Sequence, residues 1–234
     1  MSNQQKTIIF DVEMAGEDFN DLDSVTQDSL TKRAKSFSGL RQKQEIDRVK
    51  QETSLSPLTG EVITLAIWDL EADKGAVYYQ APSQDNSNQV AIPEGYKPQV
   101  LTEAEILIRF WSQVLLADKV VSFAGRTLDI PYLMIRSAIH GIRPSANLMS
   151  SSGKRPKHID LYETLTFNRM SIKKGGLHLW AKGFGIKTSK EGIDGSEVTS
   201  YYRQGRYQEI AKYCAEDTRV TMELYQHWLR YLDI

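Results

Sequence analysis

The succession of elements leaves few architectures open to this chain: strand-like runs come first, and strands interleaved with helices follow. Residues 6–12 (KTIIFDV) are a short β-branched apolar run ending in acid, which reads as a buried strand delivering carboxylates at its C-terminal end. Residues 61–70 (EVITLAIWDL) and 75–81 (GAVYYQA) read as a strand pair around a turn at Asp73 to Gly75, with Ile63, Leu65 and Ile67 alternating against Val62, Thr64 and Ala66. Residues 83–98 (SQDNSNQVAIPEGYKP) read as loop. A helix is expected from the N-cap Thr102, with Glu105 three residues on, to about Ala117. Residues 119–123 (KVVSF) are the next strand and residues 129–140 the next helix, stopped by Gly141. Beyond a Ser, Gly and Lys/Arg loop come HIDL, helical segments near 161–170, 176–184 and 196–203, and a long helix over about 206–231. This order predicts an α/β fold with a sheet of mixed direction flanked by helices.

Between the first two strands lie polar residues 14–60, with weakly amphipathic helical stretches closed by Ser56-Pro57 and Gly60. They read as a helical insertion or flap within a single domain spanning 1–234. A chain of 234 residues, 41% hydrophobic, has the apolar content for one substantial core. No run of eighteen apolar residues and no signal-peptide pattern occur, so no membrane partner and a cytoplasmic location are expected. One cysteine and four scattered histidines give no zinc-ligand spacing, which leaves carboxylates to make any metal site. Lys plus Arg (29) nearly balances Asp plus Glu (30), which argues against a coat protein for long nucleic acid but allows a local grip on a strand end.

Three places concentrate candidate chemistry. Asp11 and Glu13 are two apart on a strand, so both side chains leave the same face; a solvated strand terminus is the bland alternative. Asp129 restarts a helix just after a strand breaks at Gly125, a position that suits either a simple N-cap or the strand-end site of an α/β sheet. In the last helix, Ile210, Cys214, Thr221, Leu224 and Trp228 form an apolar stripe, and Asp217 completes its ladder with Tyr213 one turn before it. An acid on a buried face needs a cation, a donor or an arginine such as Arg126 or Arg136.

Taken together, F-D-x-E near the N-terminus, F-x-G-x-x-x-D over 123–129 and Y-C-x-x-D over 213–217 resemble the three exonuclease motifs of the DEDD superfamily, tyrosine subclass. HIDLYETL, GLHLWAKGFGI and YYRQGRYQEIAKYCAEDTRVTMELY are similar to the predicted exonucleases related to the proofreading domain of family B DNA polymerases. The resemblance implies a ribonuclease H-like fold and a 3′→5′ exonuclease releasing nucleoside 5′-monophosphates from single-stranded nucleic acid, DNA favoured. It makes Asp11, Glu13, Asp129 and Asp217 the ligands of two Mg²⁺ or Mn²⁺ ions, and Tyr213 the residue that positions the attacking water. Ala124-Gly125 stands where related sequences often have Asn-Gly, and Leu128 where a Phe is usual.

Phe123, Gly125, Arg126, Lys154 and Arg155 are candidate substrate contacts, with Lys173 and Lys174 as further cations of a phosphate-gripping rim. No polymerase-like segment is read after Ile234, so proofreading would be in trans to a DNA polymerase or repair partner. A catalytically silent nucleic-acid-binding or interaction module and an oligoribonuclease-like RNA exonuclease are the competing readings.

Overall fold

The computed structural model describes residues 5–82, 90–150, 157–170, 175–188 and 193–233. Six strands, β1 (Thr7–Gly16), β2 (Gly60–Asp69), β3 (Lys74–Tyr79), β4 (Tyr96–Val100), β5 (Lys119–Ser122) and β6 (Lys157–Asp160), form one sheet in the order β4-β3-β2-β1-β5-β6. β2 runs antiparallel to both of its neighbours, whereas β1, β5 and β6 are mutually parallel and β4 is parallel to β3. This is the mixed sheet of a ribonuclease H-like exonuclease fold. The helices are α1 (Ser24–Thr31) and α2 (Gly39–Gln51) in the insertion, then α3 (Glu103–Leu116), α4 (Asp129–Ile139), α5 (Leu161–Leu165), α6 (Leu177–Gly183), α7 (Val198–Arg203) and α8 (Tyr207–Tyr231).

The pleat of β1 sorts its side chains between two cores. Ile8, Phe10 and Val12 pack against α3 and α4 with Phe110, Trp111, Ile130 and Leu133, while Ile9 joins Cys214, Ala215, Leu224 and Tyr225 of α8 on the other face. Asp11 and Glu13 follow Ile9 in that alternation and therefore lie on the α8 face. The Thr102–Glu105 capping box that begins α3 is formed reciprocally, as the sequence predicts. On the α3–α4 side, Glu103 is buried and accepts two hydrogen bonds from Arg136 (2.8 and 2.6 Å) and one from the backbone N–H of Val62 (2.8 Å). Three elements are tied at one carboxylate, and together these donors hold it below the usual glutamate range despite its burial.

Two sequence expectations need correction. Residues 96–98, read as loop, begin the edge strand β4. Its Pro98 and Lys97 break the apolar pattern but suit an edge, where one side of the backbone needs no partner. Ile63 does not share a face with Leu65 and Ile67: Glu13 pairs with Thr64 and Met14 with Val62, so Ile63 is the extra residue of a bulge and packs with Ala15 and Ile210. On α8, Asp217 is half-buried and lies within the buried arc of the helix, among Ile210, Cys214, Val220, Thr221 and Leu224. No helix among the described residues is long and apolar enough to cross a membrane.

Candidate metal and nucleotide site

β1 carries Asp11 and Glu13 to the end of the sheet where its parallel neighbour β5, and β6 beyond it, also end. The bulge at Ile63 falls opposite Glu13, where added twist re-aims the strand end. Asp11 and Glu13 are half-buried, and each has its carboxyl group pushed well above the usual range. Burial is the largest cause, followed for Asp11 by the charges of Asp217 and Asp129, and for Glu13 by those of Asp11, Asp217 and Asp129. These couplings bring the acids from β1, the start of α4 and the middle of α8 into one field. Asp129 is likewise raised, to about 7, by burial and by the charge of Asp160.

Tyr213 donates a hydrogen bond to Asp217, and burial together with the charges of Glu13, Asp217 and Asp11 pushes its phenol up. The alternative in which Asp217 pairs with Arg126 or Arg136 finds no support: Arg126 pairs with Glu163 at 3.0 Å and Arg136 with Glu103 at 2.6 Å. Cys214 brings its sulfur within 4.8 Å of carboxylate oxygens of Asp11 and Glu13. It donates to the backbone oxygen of Asp11 (3.4 Å), and burial pushes its thiol well up. A neutral, soft thiol is a poor ligand for a hard cation, so this side chain belongs to the wall of the site. The oxygen donors around it suit Mg²⁺ or Mn²⁺, whose charge would offset the burial and the repulsion that push the carboxyls up.

Asp160, at the end of β6, escaped sequence reasoning. It is 2% exposed, and its Oδ1 accepts from the backbone N–H groups of Ala124 (3.0 Å), Tyr162 (3.0 Å) and Glu163 (3.3 Å), while Oδ2 accepts from that of Arg126 (3.0 Å). One carboxylate thus caps α5 and pins the loop that leads into Asp129. Within that loop Ala124 has φ 59°, the left-handed region that Asn tolerates better than Ala. Gly125 has no room for a side chain: an added Cβ would lie 2.4 Å from Ser122 Oγ and 2.9 Å from Asp129 Oδ2. Its place is therefore to let Asp129 close against the strand end. Behind the loop, buried His158 accepts or donates at 2.9 Å with Ser122 Oγ, and burial with the Arg126 charge drives it down to about 3, so it is neutral.

Of the candidate substrate contacts, Phe123 stacks edge-on against Tyr162 (centroids 5.7 Å apart) and Arg126 is held by Glu163. Lys154, Arg155, Lys173 and Lys174 lie outside the described residues. Tyr132 is buried in the core, and Trp180 packs against Phe184. A cleft of about 310 Å³ opens beside the acids, lined by Tyr213 and Asp217 together with Leu177, His178, Thr188 and Val220. His178 and Thr188 are joined at 2.8 Å (Nδ1 to Oγ1) across its mouth. No motif of acids marks this cleft in the sequence, because its wall is assembled from segments brought to α8 by folding.

A family described as predicted 3′-5′ exonucleases related to the exonuclease domain of PolB matches residues 81–234, which include Asp129, Tyr213 and Asp217 and begin after Asp11 and Glu13. Among curated proteins none matches. The family B DNA polymerase of the hyperthermophilic archaeon Pyrobaculum calidifontis is similar in fold, with a TM-score of 0.60 at 18% identity. That likeness covers 96% of this chain and 24% of the polymerase. With well over half of its length matched, the chain belongs to the family of predicted 3′-5′ exonucleases related to the exonuclease domain of PolB.

Proposed function

We propose that this chain is a metal-dependent 3′→5′ exonuclease of the tyrosine subclass, acting on the 3′ end of single-stranded nucleic acid, with DNA as the preferred substrate. The observation that carries the reading is the convergence of acids from three separate elements: Asp11 and Glu13 of β1 bring carboxylate oxygens within 4.8 Å of each other, and both feel the charges of Asp217 from α8 and Asp129 from α4. Carboxylates this close cost stability unless cations share them. When bound, two Mg²⁺ or Mn²⁺ ions supply a nucleophilic hydroxide near neutral pH and stabilise the charge that develops on the phosphoryl oxygens. Asp11, Glu13, Asp129 and Asp217 are the residues that hold them.

Tyr213 keeps its proton throughout the neutral range, since its surroundings push the phenol above its ordinary value. It therefore orients the attacking water through its hydroxyl and does not act as the base. Its bond to Asp217 fixes that hydroxyl at the rim of the cleft lined by Leu177 and His178, which receives the terminal nucleoside. The neutral wall made by Cys214 keeps the inner side of the site dry. Attack on the terminal phosphodiester with departure of the upstream 3′ oxygen yields a nucleoside 5′-monophosphate and a strand one residue shorter.

The test is degradation of 5′-labelled and 3′-labelled DNA and RNA strands in Mg²⁺, Mn²⁺ or EDTA. A stepwise ladder from the 5′-labelled strand, with labelled mononucleotide released at once from the 3′-labelled one, is expected only with metal. Internal cuts, or shortening from the 5′ end, would overturn the assignment.

A further inference from the structure

We infer that the middle of the insertion, residues 29–50, is a cationic surface that carries the phosphodiester backbone of the substrate upstream of the 3′ end; this rests on the exonuclease reading. Seven Lys or Arg residues and two acids fall in this stretch, in a chain whose net charge is −1. All seven basic side chains, Lys32, Arg33, Lys35, Arg41, Lys43, Arg48 and Lys50, are exposed. Of the acids that precede this stretch in the insertion, Asp23 caps α1, Asp28 pairs with Lys35, and Asp18 pairs with Arg203 of α7. Lys32, Arg33 and Lys43 make no ion pair among the described residues.

The surface is anchored to the catalytic end of the sheet. A Cβ on Gly16 would lie 2.2 Å from Thr53 Oγ1 and 2.4 Å from the backbone N of Ser54, so the end of the insertion seats directly on the end of β1. Gly16 lies three residues, about 10 Å, beyond Glu13 on that strand. The root also meets α7, through Gly16 N–H to Thr199 Oγ1 (3.2 Å) and Arg203 to the Gly16 oxygen (3.1 Å). From it α2 extends for thirteen residues, about 20 Å, a span that several nucleotides of a single strand cover. No residue of α2 is buried, so core packing does not account for the helix or its charge. Arg41 lies over the Phe37 ring at 4.1 Å and Lys50 over Phe19 at 5.6 Å, which stiffens two of the cations on an otherwise solvated helix. A site made of four acids repels a polyanion, and this stretch supplies the opposite charge within reach of it.

The experiment compares wild type with a Lys32→Ser/Arg33→Ser/Lys43→Ser variant and a control, Lys74→Ser/Lys97→Ser, whose residues begin strands at the far end of the sheet. Anisotropy binding of a labelled 25-nucleotide single strand in EDTA is measured against salt, and hydrolysis of that strand and of a dinucleotide is measured with Mg²⁺. The variant is expected to lose about two units from the slope of log affinity against log salt. Its KM for the long strand should rise roughly tenfold or more, with kcat and dinucleotide hydrolysis unchanged and the control like wild type. A wild-type salt slope in the triple variant would overturn the inference. If wild type binds with the full slope but hydrolyses nothing, the exonuclease reading fails while the cationic surface stands.

Discussion

Replacing Asp160 by Asn tests whether a carboxylate outside the proposed metal-ligating set holds the Asp129 loop in its working shape. The wild-type carboxylate is 2% exposed and accepts four backbone N–H groups, three on Oδ1 and one on Oδ2. Asn keeps one acceptor oxygen, which can serve Ala124, Tyr162 and Glu163, but its NH₂ then faces the N–H of Arg126 donor to donor. Losing one bond to a charged acceptor costs about 1.5–3 kcal/mol, and the three that remain weaken as the acceptor becomes neutral. We expect a loss of roughly 2–4 kcal/mol in urea unfolding with an unchanged m-value. Because the freed N–H groups lie in the segment that aims Asp129, turnover at full folding should fall about 10–100-fold, as for an approximately 1 Å misplacement of a reacting group. Wild-type turnover combined with stability within about 0.5 kcal/mol of wild type would refute the reasoning.

The same loop predicts that Gly125→Ala, whose Cβ would meet Ser122 Oγ at 2.4 Å and Asp129 Oδ2 at 2.9 Å, costs about 1–3 kcal/mol in thermal or urea unfolding and lowers kcat more than it raises KM. Tyr213→Phe should keep Mn²⁺ affinity by calorimetry and lose on the order of 100-fold in kcat. Since the phenol is pushed upward, wild type should show no loss of activity from Tyr213 ionisation below pH about 9. Asp129, at about 7 in the native chain against about 3.9 unfolded, is protonated in both states below pH about 4 and ionised in both well above 7; between them the native chain holds the extra proton, so its contribution to stability falls as pH rises. In EDTA, Asp129→Asn should therefore gain stability relative to wild type as pH rises from about 5 to about 8, and Mn²⁺ should shrink the difference. The comparison with the variant is needed because His158, held neutral down to about 3, contributes with the opposite sign.

Elements whose signals are local were legible in the chain. The run TIIF, the Thr102–Glu105 capping box, and the 3.6-residue stripe of the last helix each encode their own conformation. The parity of Asp11 and Glu13 on a strand was enough to place both acids on one face. What sequence could not show depends on partners distant in the chain. β4 is a strand because β3 offers it an edge, despite Pro98. Ile63 changes face because of a bulge that only pairing with Glu13 and Met14 reveals. Asp160 caps α5 locally, but its other two partners are backbone N–H groups 34 to 36 residues earlier, which carry no side-chain signature at all. Arg126, read as a phosphate contact, is paired with Glu163 for the same kind of reason.

The central claim, that Asp11, Glu13, Asp129 and Asp217 form one cation site, is tested most directly by calorimetric titration of Mn²⁺ into the chain in the presence of a nucleoside 5′-monophosphate, for wild type and for Asp11→Asn. The account predicts two ions per chain in wild type, proton release that grows as the buffer is made more acidic between pH about 8 and 6, and loss of both ions in the variant. Wild-type stoichiometry and affinity in Asp11→Asn, or no saturable binding in wild type, would contradict it.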